Sequence, residues 1–429
     1  MAPEVIGSII LLITVVLFIT KWIPVTATSM LSIMLFTITG VASFESCVAG
    51  FSNFSVVMLF GILIVGRAML KTGLAQFIGL TAMKWSGGNE KRFLLYIMIC
   101  MGVLSMFIDN TTCVACFLPI MAAATAESKG NIRFMNLVMP ASLAAMIGGG
   151  CLLIGCTVNL NAQVVLMGCT DYEFSMFDFT KGCVPALIAL VAYVMLVGYK
   201  RGMKIWGSEE RAAAEKEIVA NLGADEDEIG EIDKIQCIKM VGVLVIMVSL
   251  FLFSDLSLGV SANIAALLCI VLKLVDIKDA IKHIDWEVVV RLGCALGLAG
   301  ALKECGFCEM ISNAFISAFG TAVSPRLILV VVMIVANIMS QFMGNSTVVL
   351  LVGAAIIPVV DGLGINPLSI TMALVYGASF AFMTPIAGAC IGVSYAAGYE
   401  FNDYAKYTFP LTILIYIVGA IWLPIAFPF

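Results

Sequence analysis

The sequence predicts an all-α polytopic membrane protein made of two inverted repeats, each with about five transmembrane spans and one re-entrant helical hairpin. Three observations lead there. Of the 429 residues, 62% are A, V, I, L, M, F, W, Y or C and only 12% are charged, against roughly 45–50% apolar in soluble domains. Apolar runs long enough to cross about 30 Å of hydrocarbon recur along the chain. The order of runs, breaks and short motifs in the first half also returns in the second. With 23 Lys and Arg and 28 Asp and Glu, the chain cannot cover a soluble body of this length with charge. That excludes a soluble enzyme, a secreted disulfide scaffold and a basic nucleic-acid binder. The net charge of −5 mostly reflects one acidic loop.

Ten spans are expected near 5–20, 25–43, 54–72, 134–168, 181–199, 237–253, 259–275, 286–303, 367–396 and 408–427. No cleavable signal peptide is expected, because the first run lacks a basic segment before it and a small-residue cleavage site after it. Two further apolar stretches, about 92–127 and 326–361, are each cut by a polar cluster: Asp109-Asn110-Thr111-Thr112 and Gly344-Asn345-Ser346-Thr347. Irregular backbone at membrane depth must be buried in protein or line a wet cavity, so both stretches are read as re-entrant hairpins.

Basic residues orient this arrangement. Eighteen Lys and Arg, among them Lys21, Lys71, Lys129, Lys200, Arg211, Lys273 and Lys282, fall on one side, against Lys181, Lys303 and Arg326 on the other; Arg67 and Arg291 lie inside spans. The side rich in Lys and Arg is cytoplasmic. Both termini then face out, the first hairpin enters from the cytoplasm and the second from outside. The chain divides into a first repeat (1–199), a charged cytoplasmic linker (200–236) and a second repeat (237–429).

Short motifs support the repeat. Asp178-Phe179-Thr180-Lys181 with Pro185 returns as Asp403-Tyr404-Ala405-Lys406 with Pro410, Ser105 and Asn110 return as Ser340 and Asn345, and Val25-Thr26-Ala27 returns as Val260-Ser261-Ala262. An odd number of crossings per half gives the repeats opposite orientations, the plan of secondary transporters with a midplane substrate site. The linker, Ser208 to Lys234, is Ala-rich and charged; a short cytoplasmic helix and a flexible acidic turn are expected there. Two C-x-x-C spacings, Cys113 to Cys116 and Cys305 to Cys308, lie in apolar helical stretches far from the single histidine, His283, and are read as packing.

Candidate site residues come from the clusters. The second helix of each hairpin offers unpaired N–H groups and a positive dipole end, which suits an anion. Asn110, Thr111 and Thr112 would serve one tip, and Asn345, Ser346 and Thr347 the other. A second pair of breaks follows the hairpins: glycines interrupt the span from Gly148 to Asn159, and Thr384-Pro385 with Gly388 interrupts the other near Ala381. Unwound spans free carbonyls for a small cation. Asp109 is the one carboxylate at a tip; it could ligate sodium, or bind a proton if burial raises its pKa.

The chain resembles the divalent anion:sodium symporter family, the dicarboxylate, citrate and sulfate carriers of the ion transporter superfamily. The similarity runs from Gly50-Phe51-Ser52-Asn53 through the hairpins to Phe380-Ala381-Phe382-Met383-Thr384-Pro385-Ile386 and the Pro410 span. The resemblance implies that the triplets Asp109-Asn110-Thr111 and Gly344-Asn345-Ser346 stand where the family carries Ser-Asn-Thr, binding a carboxylate with Asn and Thr. It further implies sodium beside Ser105, Asp109, Asn110, Ser340 and Asn345 and the backbone near Cys151 and Met383, with Thr384 and Pro385 contacting substrate. A homodimer with a static scaffold and a moving elevator domain is also implied. Departures are Asp109 for the first serine, Gly344 for the second, and Leu152-Leu153 where the family has Thr-Pro.

The expectation is therefore a transporter, not an enzyme, in the cell membrane, in keeping with a bacterial inner membrane. It would couple sodium or protons to a small divalent anion, a C4-dicarboxylate first, with membrane lipid and a second copy as partners. The alternative is a sodium/proton antiporter or arsenite-type carrier using Asp109. Because the linker is expected inside, a cysteine introduced at Ser208 should react slowly with an impermeant thiol reagent in intact cells. Fast labelling would invert the topology.

Overall fold

The computed structural model describes residues 2–20, 22–128, 131–223, 233–254, 256–307, 310, 313, 324–385 and 387–429. Among them the regular structure is helical, with no strand. The first half runs α1 (Pro3–Thr20), α2 (Val25–Ile38), α3 (Phe44–Ala49), α4 (Phe54–Lys71), α5 (Leu74–Ser86), α6 (Glu90–Leu104), α7 (Asn110–Glu127), α8 (Phe134–Gly149), α9 (Thr157–Cys169), α10 (Asp178–Tyr193) and α11 (Tyr199–Trp206). The linker holds α12 (Glu209–Gly223). The second half runs α13 (Lys234–Phe253), α14 (Leu258–Val271), α15 (Ile277–Lys282), α16 (Trp286–Glu304), α17 (Pro325–Ser340), α18 (Asn345–Gly362), α19 (Pro367–Ser379), α20 (Ala389–Ser394) and α21 (Phe401–Ala426).

Five stretches among the described residues, Phe44–Lys71, Asp178–Trp206, Lys234–Phe253, Asn345–Gly362 and Phe401–Ala426, are long and apolar enough to cross a membrane. The chain is a multi-pass membrane protein. Two runs expected as single spans are each two helices: 134–168 is α8 and α9, joined by turns, and 367–396 is α19 and α20, separated by non-helical backbone at the described residues between them. Helix α5 was not anticipated as a separate element. At 13 residues it is too short to register as a span, and it lies against the first hairpin, burying Leu74, Ala75 and Ala82.

Two helices, α8 and α19, are buried around their whole circumference, which is the environment of a helix at the centre of a bundle. The hairpins lean on them, α6 and α7 on α8, α17 and α18 on α19. Small residues permit this closeness where lipid supplies no hydrophobic drive. A Cβ on Gly148 would fall 2.1 Å from the Gly102 carbonyl oxygen, and one on Gly377 would fall 2.5 Å from that of Met333. A second group of contacts joins α4 to α14 and α16 to α2 and α3, again through glycine: Gly61 lies against the backbone of Ala262, and Gly297 against that of Cys47.

The linker helix is docked. Arg211 pairs with Glu400 and Asp403, both at 2.6 Å, and the buried Glu215 accepts from Arg133 at 2.8 Å and from the Met135 N–H at 3.2 Å. Buried carboxylates persist only when paired and hydrogen-bonded, so α12 clamps the base of the first hairpin to the start of α21. The acidic turn expected after it falls at 224–232, outside the described residues, as does Cys308 of the second C-x-x-C pair. In the first pair, the Cys113 thiol donates to the Met101 carbonyl at 3.7 Å.

Replacing Gly148 or Gly377 by Ala should force two backbones apart and cost about 1–3 kcal/mol. Thermal unfolding in detergent should report a lower midpoint for each. A midpoint unchanged in both would mean that these helices are not packed this closely.

Candidate functional site

Each hairpin turns from its first helix into its second through a serine and an asparagine five residues apart. In the first, the Ser105 hydroxyl donates to Asn110 Oδ1 at 2.7 Å. In the second, the Ser340 hydroxyl lies 2.5 Å from Asn345 Oδ1 and 2.8 Å from the Ala378 carbonyl. Both serines are fully buried and hold the asparagine from behind. Gly149, the last residue of α8, makes room for the first asparagine, since a Cβ there would sit 1.9 Å from Asn110 Oδ1.

The tips differ in what caps them. Asp109 folds back so that Oδ2 accepts from the N–H groups of Thr111 at 2.9 Å and Thr112 at 3.2 Å, an N-cap that fills the amides otherwise open to an anion. Its carboxylate is exposed rather than buried. Gly344 brings no side chain to the same place, and the N–H groups of Asn345 and Ser346 have no acceptor among the described residues. The expectation of unpaired N–H groups at both tips therefore needs correction: the dipole end of α18 is open and that of α7 is closed by its own carboxylate.

The tips meet across one open cavity of about 330 Å³. Of the residues expected at the site, Asp109, Asn110, Thr111, Asn345, Ser346 and Thr347 line it. Thr112, Thr384 and Pro385 are not among its walls; the Thr384 hydroxyl donates instead to the Gln341 carbonyl at 2.9 Å. Ser105 and Ser340 stand behind the walls. The Cys151 carbonyl accepts from the Thr180 hydroxyl at 2.6 Å, and Met383 is half-buried in the second break.

Several wall residues escaped the sequence reading. Thr157, at the start of α9, lies with its hydroxyl 3.2 Å from that of Ser346, tying the break of one half to the tip of the other. Asn159 behind it donates to the Leu152 carbonyl at 2.7 Å and reaches those of Gly149 and Gly150, while its own Oδ1 is buried without a partner. Asn337 bridges the Gly377 and Phe380 carbonyls in the matching way. Asn161, Ser379, Ser29 and Arg291 complete the polar wall. Thr157 sits at the edge of a visible glycine break, and Arg291 is a charge inside a span; both carried a signal that helix periodicity alone does not rank.

Helices broken in pairs around a polar cavity define a membrane transporter rather than an enzyme. The citrate transporter family model matches residues 15–325 and 260–429, and the chain belongs to this family, within the ion transporter superfamily. It is similar to the sodium-dependent dicarboxylate transporter SdcS of Staphylococcus aureus (strain USA300), 25% identical over 404 residues that span 86% of this chain and 75% of that one. It is 29% identical over 188 residues to an uncharacterized transporter, sll0640, of Synechocystis, covering 44% of this chain and 30% of that protein's length. Two solved structures share the fold at 12% identity: the Neisseria gonorrhoeae MtrF efflux pump (TM-score 0.67, 97% of each chain) and the Alcanivorax borkumensis YdaH transporter (TM-score 0.60, 89% and 87%).

The capping geometry separates two roles for Asp109. Asp109→Ala, which removes the cap, should cost about 0.5–2 kcal/mol of stability, whereas Asp109→Asn, a residue that caps as well, should be close to neutral. Unfolding of both variants in detergent checks this. Equal stabilities would mean that the cap contributes nothing.

Proposed function

We propose that the protein is a secondary active transporter that couples sodium to the movement of a small divalent organic anion, a C4-dicarboxylate in the first instance. The observation that carries this reading is the matched Ser105–Asn110 and Ser340–Asn345 pairs, brought from both halves of the chain to one cavity. An anion is held at the open N-terminus of α18 by the Asn345 and Ser346 amides and side chains, with Asn110, Thr111 and Thr347 around it. Sodium is held by hard neutral oxygens beside the tips, from Ser105, Asn110, Ser340 and Asn345 and the carbonyls of the two breaks. Asp109, repelling a dianion until a cation neutralises it, makes cation binding favour anion binding. The name of the staphylococcal relative supports both the substrate class and the ion.

The same reading assigns the two halves as inverted repeats. Its support is that α1 to α4 and α6 to α10 recur in order as α13 to α16 and α17 to α21, with counterpart pairings in each. Helices α1 to α4 and α13 to α16 then form a scaffold in a homodimer, and the hairpins with α8 to α10 and α19 to α21 form the elevator that moves. The cavity walls contributed by α1, α2 and α16 are Phe18, Val25, Ser29, Val288, Arg291 and Leu292, near the helix ends that the basic residues assign to the cytoplasm. The conformation is thus taken as inward-facing. Exchange of sodium for protons at Asp109 is the second reading, favoured by its being the only carboxylate in the cavity wall among the described residues.

The test is transport by purified protein in liposomes. Sodium-dependent uptake of labelled succinate is expected, and proton movement against sodium without succinate uptake would establish the second reading instead. Asn110→Ala and Asn345→Ala should each weaken succinate binding by about 1–3 kcal/mol, the loss of a hydrogen bond to a charged group. Affinity within twofold of wild type in both would reduce the asparagines to helix caps.

A further inference from the structure

Among the described residues, Arg291 is the one basic side chain in the cavity wall, as Asp109 is the one acid. It stands in the second turn of α16, half-buried, and its Nε donates to the Glu287 carbonyl at 3.2 Å. No other bond among the described residues holds it, and neither terminal nitrogen has an acceptor among them. Among the other arginines that pack against the protein, Arg67, Arg133 and Arg211 each pair with a carboxylate at 3.0 Å or less, whereas Arg201, outside the cavity, donates its Nε to the Lys406 carbonyl at 2.8 Å and, like Arg291, forms no ion pair among the described residues. The unpaired Arg92 and Arg326 are exposed residues in the first turns of α6 and α17. Glu287, the nearest acid along α16, does not neutralise Arg291; its Oε1 accepts from the Thr26 hydroxyl at 2.9 Å and it forms no ion pair with the guanidinium. A guanidinium left free in a cavity wall is open to a group of opposite charge.

The two tips say what that visitor needs. One carboxylate fits the open amides of Asn345 and Ser346. A second cannot use the equivalent amides of the first tip, because the Asp109 carboxylate already occupies those of Thr111 and Thr112. The remaining cationic donor in the wall is the guanidinium, whose planar fork matches a carboxylate through two parallel bonds.

We propose that Arg291 is the specificity-determining residue of the cavity, taking the second carboxylate of a dicarboxylate whose first is held at the tip of the second hairpin. The proposal rests on the dicarboxylate reading given above. In this chain a scaffold arginine does the work that a second open hairpin tip would otherwise do, and selectivity for dianions over monoanions depends on it.

The experiment compares succinate with succinamate, which keeps the size and replaces one carboxylate by a neutral amide. Equilibrium binding is measured on the purified full-length protein with sodium present. Wild type is expected to favour succinate by about tenfold or more, the scale of a charge-assisted hydrogen bond. Arg291→Gln should bring the two affinities within about threefold by weakening succinate alone, and Arg291→Lys, with the charge but not the fork, should keep part of the preference. A wild type that binds both ligands equally, or an Arg291→Gln variant that keeps the full preference, overturns the proposal. If Arg291→Gln is not recovered folded, the wild-type comparison and Arg291→Lys decide, and a Lys variant with undiminished preference counts against the fork. A wild type that binds neither ligand overturns the dicarboxylate reading itself.

Discussion

Backbone N–H and C=O groups find no water in a bilayer core, and every interruption of a helix at that depth must be satisfied by protein or by a polar cavity. This chain interrupts its helices four times, at two hairpin tips and two unwound segments, and places all four together. The consequence is visible in the side chains recruited. Asn159 gathers the carbonyls left by the end of α8, and Asn337 gathers those left by the end of α19. Thr180 satisfies Cys151, and Thr384 satisfies Gln341. Buried polar atoms left without a partner among the described residues lie both at the cavity, as the Ser379 hydroxyl does, and away from it, as Gln76 Oε1 and the Tyr407 hydroxyl do.

The hairpins can reach that site because α8 and α19 bring no bulk to the contact. Gly102 under Gly148 and Met333 under Gly377 let the helices approach backbone to backbone, and Gly149 leaves the volume that Asn110 occupies. The two halves use the same device at corresponding positions, yet the tips are not equivalent. One carries a carboxylate that caps its own helix; the other carries a glycine that leaves the helix end bare. Charge is therefore distributed asymmetrically across the cavity.

The linker adds a constraint of a different kind. Arg211 and Glu215 on one face of α12 pair with groups on α21 and at the base of the first hairpin, so the connection between halves is packed against the body that carries the site. Ionic contacts of this kind at a buried carboxylate such as Asp403, which also accepts from the Glu400 N–H, specify a position as much as they stabilise it.

Much was determined by the sequence alone. Membrane class followed from 62% apolar composition, the two polar clusters located the tips, and the spacing of Ser105 to Asn110, repeated at Ser340 to Asn345, identified residues that do bond to each other. These features are local, and local pattern is what a sequence displays. Tertiary structure decided the rest: that Thr157 of one half meets Ser346 of the other, that Thr384 turns away to Gln341, and that Arg291 faces the cavity with no ion pair among the described residues. Each depends on which face of a helix meets which neighbour across dozens to hundreds of residues. Apolar periodicity cannot encode that choice when, as in α8 and α19, every face is buried.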